Sequence, residues 1–180
     1  MKTSPDLPIP FESHTGEGNY VFVSYSHADK VFVYETMLWF RQNGINIWYD
    51  EGIPPASEWL ESIAFAIKKS VLFVIFISPR SVESRFVKSE VSYALAENKD
   101  ILSIYIEDTT LPAGLSLCLQ QFQSVFVTEE NWRKKANDIL AAKLTLDEET
   151  TIIVEAGAIL SGFRLLRCIG KGGYGEVWLA

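Results

Sequence analysis

Cysteine is scarce in this chain. Cys118 and Cys168 stand far apart and in no metal-ligand spacing, so a disulfide framework is excluded and two free thiols in a reducing compartment are the expectation. Histidine is equally rare, and His14 and His27 have no ligand partners at a recognised spacing, so no metal is expected. There is no lysine- or arginine-rich run. The net charge of −7 and a pI near 4.9 argue against nucleic-acid binding, which needs a basic surface. The longest apolar run falls well short of the roughly 20 residues that cross a bilayer. The start, MKTSPDLPIPFESHTGEGN, lacks the basic-then-apolar order of a signal peptide. A cytoplasmic protein without membrane contact is the expectation.

What is present is a chain of 180 residues that is 48% hydrophobic, enough for a sizeable core in one ordinary domain with an appendage. Val71 to Ile77, VLFVIFI, shows no polar alternation and reads as a strand covered on both faces, the parallel-sheet pattern. The segment Ser78 to Glu83 breaks that run, and Ser84 is placed to cap a helix. At about 100° per residue, Phe86, Val87, Val91, Ala94 and Leu95 share one half of its wheel, with Arg85, Lys88, Ser89, Ser92 and Ala96 opposite. Glu90 falls in the apolar half. A carboxylate there either pairs with a buried donor or borders a cleft that wants negative charge, and the spacing leaves both open.

The chain in order gives the rest of the architecture. Residues 1–19 read as a flexible leader, and Tyr20 to Ser26 as a short strand with a hydroxyl-rich end at Ser24, Tyr25 and Ser26. Val31 to Gln42 is a helix stopped by Asn43-Gly44, and Ile45 to Tyr49 a second strand. Gly52, Pro54 and Pro55 mark residues 50–57 as a loop. Trp59, Leu60, Ile63, Ala64 and Ile67 recur at helical spacing, closed by Lys68 and Lys69. After the central strand and its helix come a strand at 101–106, a loop with a short turn at 107–121, a strand at 124–127, a helix at 130–144 and a linker at 145–162. This order predicts a doubly wound α/β domain: a flavodoxin-like five-stranded parallel sheet with helices on both faces. Ligands then bind beyond the carboxyl ends of the first and third strands, between Ser24–His27 and Ser78–Ser84, in a crevice that Glu90 can also face.

From Tyr20 to about Leu144, the blocks VFVSYSHADK, INIWYDEGIPPASEW, VIFISPRSVES and FVKSEVSYA resemble a Toll/interleukin receptor (TIR) domain of the bacterial type. The resemblance implies a five-stranded parallel sheet. It implies also that the chain is related to members that cleave NAD between nicotinamide and ribose and to others that act as self-associating adaptors. In the cleaving members the essential glutamate lies on the helix after the third strand, four residues beyond an aromatic. Here that pattern falls on Phe86 and Glu90, so Glu90 is the implied catalytic carboxylate, with NAD as substrate and no cofactor. Tyr25, Trp48, Tyr49 and Phe86 are candidates to stack on its rings, although core packing is the plainer reading of Trp48 and Phe86. Ser24, Ser26, Ser78 and Asp50 are candidates for its ribose and phosphates, or for local backbone. The loop bearing Gly52, Ile53, Pro54 and Pro55 is the implied self-association loop. The implied partners are other TIR domains, in a homo-oligomer on activation. Two readings follow, an NAD hydrolase and a non-catalytic TIR–TIR module. Glu90 in the apolar arc favours the first, and Phe86 where bacterial enzymes often carry tryptophan favours the second. A metal-dependent receiver domain is disfavoured because the first strand ends Ser-Tyr-Ser, without an acidic pair.

The last stretch, 163–180, carries Gly170, Gly172, Gly173, Gly175 and Val177 in the form G-x-G-x-x-G-x-V. Alternating residues on either side predict strand–turn–strand, not strand–turn–helix. It resembles the ATP-covering hairpin that opens a protein kinase domain, here without the catalytic residues that would follow, and so a vestigial nucleotide loop. The expectation is a TIR domain fused to the truncated start of a kinase, which the adaptor reading would bring to its partners.

Overall fold

The computed structural model describes the backbone of residues 8–50, 57–149, 159–160, 163–164, 167–172 and 175–179, and side chains within 8–50 and 59–145. Strands β1 (Val21–Ser24), β2 (Ile47–Tyr49), β3 (Leu72–Ile77), β4 (Ile101–Tyr105) and β5 (Gln123–Phe126) form one sheet in the order β2-β1-β3-β4-β5. Every pairing is parallel. Helices α1 (Lys30–Gln42), α2 (Ser57–Lys69), α3 (Arg85–Ala96), α4 (Ala113–Leu119) and α5 (Trp132–Glu149) supply the crossovers and cover both faces. This is the predicted flavodoxin-like topology, with its switch point between β1 and β3.

Side-chain alternation divides the core in two. Val21, Val23, Leu72, Val74 and Phe76 project toward Val33, Met37 and Phe40 of α1 and Ala136 and Leu140 of α5. Phe22, Phe73, Ile75 and Ile77 project to the other side, against Ile63 and Ile67 of α2 and Val87 and Val91 of α3. All of β3 is buried, which explains its unbroken apolar run. Gly44, at φ +87°, turns the chain out of α1.

Three expectations need correcting. The leader is not loose along its described part. The Phe11 ring packs edge-on to Tyr49 at 5.3 Å, the Ser13 hydroxyl donates to the Tyr49 carbonyl at 3.1 Å, and the His14 amide donates to the Ile47 carbonyl at 2.9 Å. Residues 11–14 thus line the outer edge of β2, whose unpaired backbone groups need partners. The segment 107–121 contains α4, which Pro112 and Gly114 concealed. Proline suits the start of a helix, and Leu115 and Leu119, one turn apart, pack on the α2/α3 side of the core. Helix α5 runs past Leu144 to Glu149.

The chain divides after Glu148 into a second unit with two antiparallel pairs, β6 (Ile159–Leu160) with β7 (Phe163–Arg164) and β8 (Arg167–Gly172) with β9 (Gly175–Leu179). Gly170 and Gly172 lie in β8 and Gly175 and Val177 in β9, with Gly172 opposite Gly175. Gly173 is outside the described residues. Among the described residues no helix is long and apolar enough to cross a membrane.

Candidate functional site

Ser24 ends β1 on the same side as Phe22, facing α2 and α3. Helix α3 begins at Ser84, whose hydroxyl accepts the Val87 amide at 3.4 Å, and its buried stripe Val87, Val91 and Ala94 fixes the rotation that turns Glu90 inward. The Ser24 hydroxyl donates to Glu90 Oε2 at 2.5 Å. Both sequence readings of Glu90 hold together: it has a buried donor and it borders a cleft.

The cleft is a pocket of about 240 Å³ between α2 and α3. Trp59, Ile63 and Ile67 form one wall and Phe86, Glu90 and Tyr93 the other. The Trp59 and Phe86 rings meet edge to face at 5.3 Å. Beside it, Asp50 leaves the end of β2 and accepts the Trp59 indole N–H at 3.3 Å, with His27 Nε2 3.5 Å from its other carboxylate oxygen. Burial pushes the Glu90 carboxyl up to about 7, with Asp50 adding to the rise while the Ser24 hydrogen bond and His27 oppose it. An apolar pocket with one carboxylate suits a planar ring that carries positive charge, or a reaction in which positive charge develops.

The other sequence candidates divide. Asp50 lies close enough to Glu90 to raise its pKa, and Phe86 is at the pocket, 54% exposed and so not the core residue its wheel position suggested. Tyr25 packs on the α1 side of the sheet and reaches the site through its hydroxyl, which donates to the Asp50 carbonyl at 3.1 Å, and through its ring, 5.6 Å from that of His27. Burial raises its phenol pKa well above the ordinary value. Ser26 sits half-buried at the start of the turn His27–Asp29, and its side chain makes no capping hydrogen bond. Trp48 stacks on Phe22 at 5.0 Å and borders a separate trough of about 880 Å³ with His14, Tyr20, Phe65 and Lys69, away from the Glu90 pocket. Tyr49 is buried and its hydroxyl donates to the Phe11 carbonyl.

Ser78 is the clear exception among the serines. It is fully buried, donates to Asp29 Oδ2 at 2.6 Å and accepts the Arg80 and Ser81 amides, so it braces its own loop and does not reach the pocket. Arg80 pairs with both Asp29 and Glu107. Gly52, Ile53, Pro54 and Pro55 lie outside the described residues. His27 lies at the crevice edge where the sequence set it, without a role, and Trp59 escaped sequence reasoning. Trp59 read as one more apolar helix position, but as the first large aromatic after the 50–57 loop it was placed to close a site there. Among the described residues no three His, Cys, Asp or Glu side chains are grouped to hold a metal ion.

Solved structures share the fold. The TIR domain of the Toll-related receptor TRR-2 from Hydra magnipapillata is 17% identical, with 72% of this chain and 98% of that one aligned at a TM-score of 0.53. A diflavin flavoprotein A3 from Nostoc sp. is 13% identical over 74% of this chain and 98% of its own, also at 0.53. At such identities the likeness speaks for the fold alone. No match to a curated protein was found. The family model for the TIR domain matches residues 21–141, well over half of the chain and all five strands of the sheet with the pocket between α2 and α3, and the chain therefore belongs to the TIR-domain family.

Proposed function

We propose that this TIR-domain signalling protein hydrolyses NAD at the bond between nicotinamide and ribose, with Glu90 as the carboxylate that meets the developing positive charge. The observation that supports the reading is the placement of Glu90: a carboxylate on an apolar pocket, held by a single neutral donor and paired with no cation among the described residues. A structural carboxylate in such surroundings is normally neutralised.

The chemistry asks little more of the site. As the glycosidic bond breaks, its electron pair goes to the nicotinamide nitrogen, and the sugar becomes oxocarbenium-like, as in glycoside hydrolysis. Nicotinamide starts as a cation and leaves neutral, so no acid is needed at the leaving group. Water then adds to the anomeric carbon and releases a proton. An ionised Glu90 stabilises the sugar cation through a partly dry medium, which strengthens the attraction. The 240 Å³ pocket accepts one ring, with Trp59 and Phe86 as walls. Ser26 and Asp50 are the remaining candidates for the ribose.

On this reading the protein is a cytoplasmic TIR domain of the bacterial type that works as a homo-oligomer through residues 52–55, with other TIR domains as partners. The second unit is the start of a kinase domain. The test is nicotinamide release from NAD by concentrated protein beside Glu90→Ala, with circular dichroism of both. Release that vanishes in the folded variant supports the proposal. Release unchanged in the variant removes Glu90 from the chemistry, and no release from either protein turns the reading to a non-catalytic TIR–TIR module.

A further inference from the structure

We infer that Ser24 is a positioning residue: from the buried end of β1 its hydroxyl grips one oxygen of the Glu90 carboxylate, holds it in the charged form, and does not touch the substrate. The inference rests on the reading of Glu90 given above, and it reassigns a serine whose place at a strand end suggested contact with ribose or phosphate.

Three observations carry it. Ser24 is 2% exposed and absent from the pocket wall, so a ligand in that pocket has no route to its hydroxyl. A serine has one proton to donate, and here it goes to Glu90 Oε2 at 2.5 Å. Finally, β1 is paired on both sides, with β2 through Val21–Val23 and with β3 through Val21–Ser24, so the donor is anchored in the middle of the sheet. Glu90 Oε1 meets no hydrogen-bond donor among the described residues, and Glu90 lines the pocket. The grip therefore fixes the carboxylate's position.

The charged and titratable neighbours do not replace this contact. From the turn after β1 comes His27 and from the end of β2 comes Asp50, 3.5 Å apart, and they act on Glu90 in opposite senses. Among the described residues, helix α2 brings only the Trp59 indole to the pocket as a polar group, and α3 itself brings Ser89 and Tyr93. Ser24 is thus, among the described residues, the one neutral donor in direct contact, and it opposes the effect of burial at every pH because it does not titrate.

The deciding experiment follows the Glu90 carboxyl itself, by carbon NMR of the full chain labelled with δ-carboxyl ¹³C glutamate, with the signal assigned by its loss in Glu90→Gln. In Ser24→Ala the Glu90 titration moves up by about one pH unit, the size of one charge-assisted hydrogen bond, while Ser24→Thr, which keeps a hydroxyl, titrates like the wild type. In nicotinamide release the acid limb of the kcat profile moves up by the same unit and KM is unchanged. A Ser24→Ala titration that coincides with the wild type overturns the inference, and so does a raised KM with an unmoved pH profile, the behaviour of a substrate-binding serine. If the wild type releases no nicotinamide while the NMR shift is present, the NAD reading fails and the positioning role of Ser24 stands.

Discussion

At the carboxyl end of this sheet the carboxylates of Asp29 and Glu90 are both buried and are equipped differently. Each accepts a hydroxyl from a strand-end serine, Ser78 at 2.6 Å for Asp29 and Ser24 at 2.5 Å for Glu90. Asp29 also has Arg80, which continues to Glu107, so turn, loop and strand end are tied by one guanidinium. Glu90 has no cation in contact among the described residues and faces a pocket instead. A buried charge with its counter-ion has finished its work once the chain is folded. A buried charge without one keeps a cost that a neutral donor relieves in part and a positively charged partner relieves further, and that is the condition for chemistry. The difference teaches that burial of a carboxylate alone says little, and that what completes it says which role it plays.

The sharpest way to break the comparison is Glu90→Gln. Nicotinamide release falls by at least about a hundredfold, the scale of losing a principal electrostatic group, while the fold becomes more stable at neutral pH. The sign follows from the shift: burial raises the Glu90 pKa from 4.5 to about 7, so between those values the unfolded chain gives up a proton that the folded one keeps. The folded wild type therefore loses stability as pH rises through 4.5 to 7, and the full cost, about 3 kcal/mol, is present above pH 7. Urea unfolding at pH 8 should show Glu90→Gln more stable by that amount, and at pH 4 the two proteins should coincide. A variant less stable than wild type at pH 8 would mean that Glu90 is a structural carboxylate like Asp29.

Arg80→Ala applies the reverse test. It leaves Asp29, whose side chain is 1% exposed, with a hydroxyl and no cation. Losing one partner of a fully buried pair costs more, but Arg80 is 43% exposed and solvent screens its part, so about 2 kcal/mol is expected in urea unfolding. Adding Asp29→Asn should return part of that loss, since the orphaned charge disappears. Ser78→Ala is next in size at ~1–2 kcal/mol, because its hydroxyl donates to Asp29 and accepts the Arg80 and Ser81 amides. Chemical denaturation of both measures whether the Asp29 side is purely structural.

Much of this contrast was legible in the residues, and the misses have physical causes. The buried strand Val71–Ile77, the cap at Ser84 and the inward Glu90 follow from local periodicity, which the sheet then obeys. The two serines were harder to separate because each ends a strand. Yet Ser24 shares its face with Phe22, and Ser78 continues the alternation of Val74 and Phe76 toward α1, so parity alone puts them on opposite sides of the sheet. Phe86 was misread because a helical wheel gives a direction and not what lies there, which here is an open pocket in place of a packed wall. The leader was misread from its proline and glycine content, although an edge strand with unpaired backbone groups attracts whatever segment can reach it.

Phe86 gives the smallest stability effect and the finest test. Its ring is 54% exposed and touches Trp59 edge to face, so Phe86→Ala should lower stability by less than about 1 kcal/mol, with little apolar area lost from the core. The pocket, in contrast, loses one of the two rings that confine a planar group beside Glu90. A rise in KM of roughly tenfold is expected, the worth of one aromatic contact, and kcat should fall less because Glu90 keeps its grip from Ser24. Phe86→Trp restores a larger wall at the same exposed position and should lower KM again. If instead Phe86→Ala unfolds the protein as readily as Arg80→Ala does, the ring is structural after all, and the pocket between α2 and α3 is a packing defect with a carboxylate at its rim.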